Sequence, residues 1–149
     1  MELMIALLII GILLSFAVPS IAPTAIRNNI VESADLIAPF KQNIALYYSL
    51  HGKFPANNAE AGMPEADKII GNFLVGAEVE DGAIHLHLGN KIQKPVQNTT
   101  LSLRPIYVEG SPKSPISWVC GNDEIPAGMT AAGPNNTDIV DKYLPLNCR

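Results

Sequence analysis

Two cysteines, two histidines spaced one residue apart and a single carboxylate heading an apolar run are the residues of this chain whose types and spacing suggest chemistry. Cys120 and Cys148 stand near the C-terminus without C-x-x-C spacing and without a neighbouring histidine in the sequence, which is not the pattern of a redox centre. In Ala83-Ile84-His85-Leu86-His87-Leu88, strand alternation puts both imidazoles on one side and Ile84, Leu86 and Leu88 on the other. A zinc site needs three or four ligands, and no Cys, Asp or Glu at complementary spacing completes one, so two solvated histidines are expected. A glycine-rich phosphate loop, a nucleophile elbow and a metalloprotease helix are all missing. The reading is therefore of a non-enzyme, with no catalytic residue, metal or cofactor assigned.

Glu2 is the exception that asks for a partner. It precedes about twenty almost purely apolar residues, Leu3 to Ala22, and the first cation of the chain is Arg27. As a helix that run spans roughly 30 Å, one bilayer core, and a carboxylate at its edge is costly unless a positive group meets it. A cleavable secretory signal would carry a positive N-terminal region and a shorter apolar core. An ordinary membrane anchor explains the length but neither Glu2 nor the presence of Gly11 and Pro19, which both weaken helical hydrogen bonding.

The elements that must position these residues follow from periodicity. Ile26, Ile30, Ala34, Ile37, Phe40, Ile44 and Tyr47 recur every three or four residues, so residues 23–51 read as an amphipathic helix, bent near Pro23 and Pro39 and ended by Gly52. A loop over residues 52–68 leads to a sheet over residues 69–120. Its strands are expected at Ile69 to Val79, Ala83 to Leu88, Thr100 to Val108 and Pro115 to Cys120. Asp81-Gly82 makes a hairpin turn, and Pro105 marks an irregular or edge position. The fold class is α+β: one long N-terminal helix, apolar over residues 1–22 and amphipathic beyond, packed on a four-stranded antiparallel sheet. In an exported protein the isolated cysteine pair reads as a disulfide. Residues 120–148 then form a closed C-terminal loop, rich in Gly, Pro, Asn and Thr, that could not order itself by burial alone.

Glu2-Leu3-Met4-Ile5, then Gly11-Ile12-Leu13 and Pro19, resemble the N-terminal segment of type IV pilins. The resemblance extends to Arg27 and Glu32, to His51-Gly52-Lys53-Phe54-Pro55 with Asn57-Asn58-Ala59-Glu60-Ala61-Gly62, and to Trp118-Val119-Cys120 and Leu144-Pro145-Leu146-Asn147-Cys148. It covers essentially the whole chain. That family's leader and the F-T-L residues that open its mature chain do not precede Glu2, so the sequence is expected to start a few residues into the mature protein. Met1 then does not inherit the methylated phenylalanine of the family.

The resemblance implies a structural subunit that polymerises with identical copies into a helical filament used in adhesion, twitching motility or DNA uptake. It implies processing by a prepilin peptidase, residence in the bacterial inner membrane, and extraction by assembly machinery into an extracellular pilus. Glu2 would pair with the N-terminal amine of a neighbouring subunit, and Gly11 and Pro19 would bracket a segment that melts or bends. Two alternatives stay open: a minor pilin acting as a tip adhesin or DNA receptor through Lys91, Lys94, Arg104 and Lys113, and a pseudopilin of a secretion system, against which the cysteine pair argues. A net charge of −4 and a pI near 5.2 give no global attraction to nucleic acid, and solvated loop charges are the simpler account of the four cations.

Overall fold

A computed structural model describes the backbone of residues 2–17 and 21–149, and side chains over residues 3–13 and 23–149. Pro19 and the side chain of Glu2 lie outside the described residues. Three helices lead the chain: α1 (Glu2–Ala17), α2 (Ile21–Leu36) and α3 (Ala38–His51). Pro23 sits in the first turn of α2, where a missing N–H costs no helical bond. Pro39 is the second residue of α3 and cannot donate to the preceding turn, so the helix is interrupted at Ile37. Gly52 ends α3 in the left-handed conformation, φ 68°, with its N–H on the Tyr48 carbonyl at 2.8 Å.

Ile26, Ile30, Ser33, Ile37, Ile44 and Tyr48 form the buried face of α2 and α3. The aromatic anchor at its end is Tyr48 and not Tyr47: the buried positions keep a regular helical spacing through Ile37 that puts residue 48, four beyond Ile44, on the buried face, and Tyr48 stacks on Phe54 at 4.3 Å while meeting Tyr107 at 5.4 Å. Ser33 is satisfied within the helix by bonding the Asn29 carbonyl. Each buried isoleucine contributes about 1.5–3 kcal/mol of apolar burial, so this face alone commits the amphipathic half to the sheet.

The sheet runs β1 (Leu74–Glu80), β2 (Ala83–Leu88), β3 (Thr100–Tyr107), β4 (Ser117–Cys120) in that spatial order, all antiparallel, with a short β5 (Thr130–Ala131) beside β3. β1 starts five residues later than its apolar run does, because residues 66–68 form a tight helical turn and the Ala66 carbonyl crowds Gly76. Asp81 and Gly82 both have positive φ, 49° and 88°, as a tight two-residue hairpin requires. A side chain at Gly82 would strike Phe54 at 2.8 Å, so this glycine also admits the ring that plugs the end of the core.

Pro105 is not at a sheet edge. β3 is central, and Pro105 falls where β2, whose pairing ends at Leu103, gives way to β5, whose pairing begins at Ile106. Its carbonyl accepts from Ala132 on that side, so the missing N–H lies at the changeover of partners and no ladder bond is lost. The core lies between the helix and the inner face of the sheet, with Leu74, Ile84, Leu86, Leu88, Leu101 and Leu103 in it.

The outer face is covered too. Cys120 and Cys148 are disulfide-bonded, Cα–Cα 4.4 Å, and within the loop they close, residues 131–138 cross the outside of the sheet as a polar strap. The Asn136 N–H donates to Ser102 Oγ at 2.8 Å, the Ser102 N–H to Thr137 Oγ1 at 3.0 Å, and the Asn135 amide to the Gly121 carbonyl at 3.0 Å. Arg27 ties α2 to the end of the same loop through the Lys142 carbonyl at 2.7 Å.

Reducing Cys120–Cys148 should cost about 3–4 kcal/mol on the chain-entropy argument and loosen residues 121–147 while the helix and β1–β3 persist. Limited proteolysis with and without reductant checks this, and equal cleavage rates in the loop would show that hydrogen bonds alone fasten it.

Candidate assembly surface

The feature with a functional consequence is α1. It is charge-free from Leu3 to Ala17 and apolar around its whole circumference, so no face of it suits water. Leu3, Met4, Ile5, Leu7, Leu8 and Leu13 are each between 60% and 77% exposed. Water-soluble monomers do not display so continuous an apolar surface, and a helix of this kind is stable only inside lipid or inside protein. Among the described residues, no helix is long and apolar enough to cross a membrane: α1 has 16 residues, about 24 Å, against the roughly 20 residues a bilayer core takes.

Among the described residues, nothing lies within 4 Å of where a Cβ on Gly11 would stand. Its small size therefore serves no packing inside one chain. It weakens the helix by about 1 kcal/mol relative to alanine and leaves the backbone approachable from outside.

Beyond α1, the solvent side of α2 and α3 continues the apolar surface with Val31, Leu36, Leu46 and Leu50 exposed. A groove flanks the helix on either side. One, about 490 Å³, opens between Glu32, Leu36 and residues 70–74. The other, about 280 Å³, opens between Asp35, Lys41, Trp118 and Asp123. In the second the Lys41 ammonium stands 5.4 Å from the Trp118 ring centroid, and burial pushes its pKa down against the pull of Asp35. At the end of α3 the Tyr47 hydroxyl and the Ala56 N–H both donate to Glu60, which lowers the pKa of that carboxyl.

The four candidate DNA-contacting cations are not brought together. Lys91 and Lys94 lie in the β2–β3 connection and Lys113 in the β3–β4 connection, at opposite ends of β3, an eight-residue strand that separates them by about 26 Å. Arg104 lies between, on the outer face of β3, with its Nε buried and without a hydrogen-bond partner. The histidines depart from expectation in a different way. His87 is partly exposed, but His85 is fully buried, because the strap lies over it. Among the described residues no group of three or more His, Cys, Asp and Glu is placed to hold a metal ion.

Two loop residues fasten the fold in ways the sequence does not announce, although Asn58 lies in the stretch that carries the family resemblance. Asn58 donates to the Pro64 and Ala77 carbonyls and accepts from Val79, pinning the loop to β1, and Asp138 accepts from the Thr100 N–H. Each is one polar residue in a loop rich in them.

A family model for pilins, described as a bacterial filament, matches residues 27–149. The chain is 34% identical over 155 aligned residues to the type IV major pilin protein PilE1 of Neisseria gonorrhoeae, covering 99% of this chain and 83% of that protein. It is 30% identical over 160 residues to a fimbrial protein of Neisseria meningitidis serogroup B, covering 99% and 90%. It is 32% identical over 151 residues to the fimbrial protein EcpC of Eikenella corrodens, covering 99% and 86%.

If α1 is the surface that needs cover, the full chain should require detergent to remain monomeric, whereas a chain starting at residue 23 should sediment as a monomer in plain buffer. Sedimentation equilibrium decides, and a full chain monomeric without detergent would mean that the apolar helix is covered within its own subunit.

Proposed function

The chain belongs to the pilin family, whose members are structural subunits of bacterial filaments and not enzymes, and from that premise we propose that it builds a type IV pilus by polymerising through α1. The exposure of six large apolar side chains of α1 at 60% or more is the observation that carries this reading. A bundle of identical apolar helices covers that surface, and a head-to-tail contact that does not close on itself extends it into a helix. Before assembly the same surface rests in the inner membrane, from which assembly machinery draws the subunit after a prepilin peptidase has acted. The finished extracellular fibre serves adhesion, twitching motility or DNA uptake.

In this scheme Glu2 sets the axial register. A carboxylate in the low dielectric of the bundle must be paired, and the N-terminal amine of a neighbour is a cation at the matching height. Gly11 and Pro19 bracket the stretch whose helical bonds are weakest, so it is the stretch that lengthens when the fibre is pulled.

Glu2→Ala should leave the subunit folded and membrane-bound yet reduce surface filaments to few or none, counted by electron microscopy; normal filaments would remove the register role. Gly11→Ala should restore about 1 kcal/mol of helix stability without a clash inside the subunit. Single filaments of that variant should extend less at a given force, and unchanged extension would show that residue 11 lies outside the part that melts.

A further inference from the structure

We propose that the strap over the outer face of the sheet is an acid-released latch: residues 131–138 stay closed while the His85 imidazole beneath them is neutral, and open when that ring takes a proton. The geometry places His85 in the hydrogen-bond network that joins sheet and strap. Its Nδ1 lies 2.9 Å from Ser102 Oγ, the same oxygen that accepts the Asn136 N–H at 2.8 Å. Its Nε2 lies 3.4 Å from the Asn136 amide nitrogen and 3.5 Å from Glu80 Oε2. Asn136 thus meets the histidine twice, directly and through Ser102.

A neutral ring has one donor and one acceptor, and it satisfies these neighbours in either tautomer. With Nδ1 protonated it donates to Ser102 and accepts from the Asn136 amide. With Nε2 protonated it donates to Glu80 and accepts the Ser102 hydroxyl. The imidazolium has two donors. Its two N–H groups still have Ser102 Oγ and Glu80 Oε2 as acceptors, but neither ring nitrogen can accept, so the Asn136 amide and the Ser102 hydroxyl lose the ring together, where each neutral tautomer keeps one of them. The charge is also enclosed, since the His85 side chain is 1% exposed. A buried cation without adequate compensation is expensive, and peeling back the strap hydrates it.

The groups around the ring decide the direction. Burial pushes the pKa of His85 below the ordinary histidine value of 6.5, Glu80 and Glu78 of β1 pull it up, and His87 on the same strand pushes it down further. Glu80 is half exposed, so water screens its attraction. Arg104 stands two residues beyond Ser102 on the same face of β3, and on the strap Asp138 is engaged by the Thr100 N–H. A histidine that binds its proton less tightly when folded supports the fold fully above pH 6.5 and progressively less as the pH falls below that value. Opening only the strap is enough to release the penalty, because β1, β2 and β3 hold the ring's other side. This latch does not depend on the polymer reading and exists in a single subunit.

The test is hydrogen–deuterium exchange of the full chain in detergent between about pH 7.5 and 5, with the intrinsic pH dependence of exchange divided out. The amides of Ala132, Asn136 and Asp138, which donate to Pro105, Ser102 and Thr100, should lose protection by up to about tenfold per pH unit below 6.5, while β1 and β2 keep theirs. His85→Asn should abolish the pH step, and Glu80→Gln, by removing a charge that favours the closed imidazolium, should extend the loss of protection to lower pH with its onset still near 6.5. Protection that stays flat, or a step that survives in His85→Asn, overturns the latch. Should that variant not fold, titration of the His85 ring in the unaltered chain by NMR serves instead, and a midpoint at or above 6.5 overturns it.

Discussion

One constraint governs this molecule: its N-terminal helices carry more apolar surface than the sheet can cover. A helix needs apolar cover along one stripe to dock on a sheet, and α2 with α3 supplies that stripe in Ile26, Ile30, Ile37, Ile44 and Tyr48. From Leu3 to Leu13 the apolar character runs all round the helix, and the side chains stand exposed. The subunit is complete as a domain and incomplete as a surface. Its remaining free energy of burial is available only from outside the chain, in lipid or in other copies.

The two faces of the sheet are covered by opposite means. The inner face is closed by a helix through dispersion and the removal of apolar surface from water, which any well-fitting apolar neighbour would supply. The outer face is closed by a loop with little apolar content, through hydrogen bonds donated by Asn135 and Asn136 and accepted by Thr137 and Asp138. Such a cover is only as strong as the polar network under it, since a buried donor or acceptor left unmatched costs more than a matched one gains. The disulfide limits how far that loop can depart and does nothing to hold its middle, twelve residues and more from Cys120. The loop is held by a few polar anchors, the helix by a continuous apolar face.

How much of this could be read from the sequence depends on whether a residue acts through a pattern or through a partner. The helical face, the Asp81-Gly82 turn, the Gly52 stop and the pairing of two lone cysteines are patterns or local rules, and the structure has them. Tyr47 and Tyr48 are adjacent, and a spacing of three or four from Ile44 admits either; the rings of Phe54 and Tyr107, distant in sequence, single out Tyr48. Alternation put His85 on the outer face correctly, but solvation is not a property of a face until one knows what lies over it. A strap with no hydrophobic period of its own announces nothing, so the burial of His85, the existence of β5 and the central place of Pro105 were all hidden by the same segment. The apolar helix was the most legible element because it has no tertiary partner to obscure its pattern.

That legibility is itself an argument about what the helix is for. A core segment is normally a compromise, interrupted by whatever its neighbours within the chain demand; from Leu3 to Leu13 the one interruption of α1 is Gly11, with no described atom within 4 Å of where a Cβ would stand. A glycine that relieves no contact within its own chain must be understood from contacts or motions outside it. The same holds for the uniform girdle of leucine and isoleucine, which specifies no single docking direction and so suits a surrounding that approaches from every side. Lipid does that, and so does a ring of identical helices. Because hydrocarbon and helix bundle offer nearly the same solvation to such a surface, the transfer between them costs little in burial, and the direction of exchange is left to the few polar groups at its end.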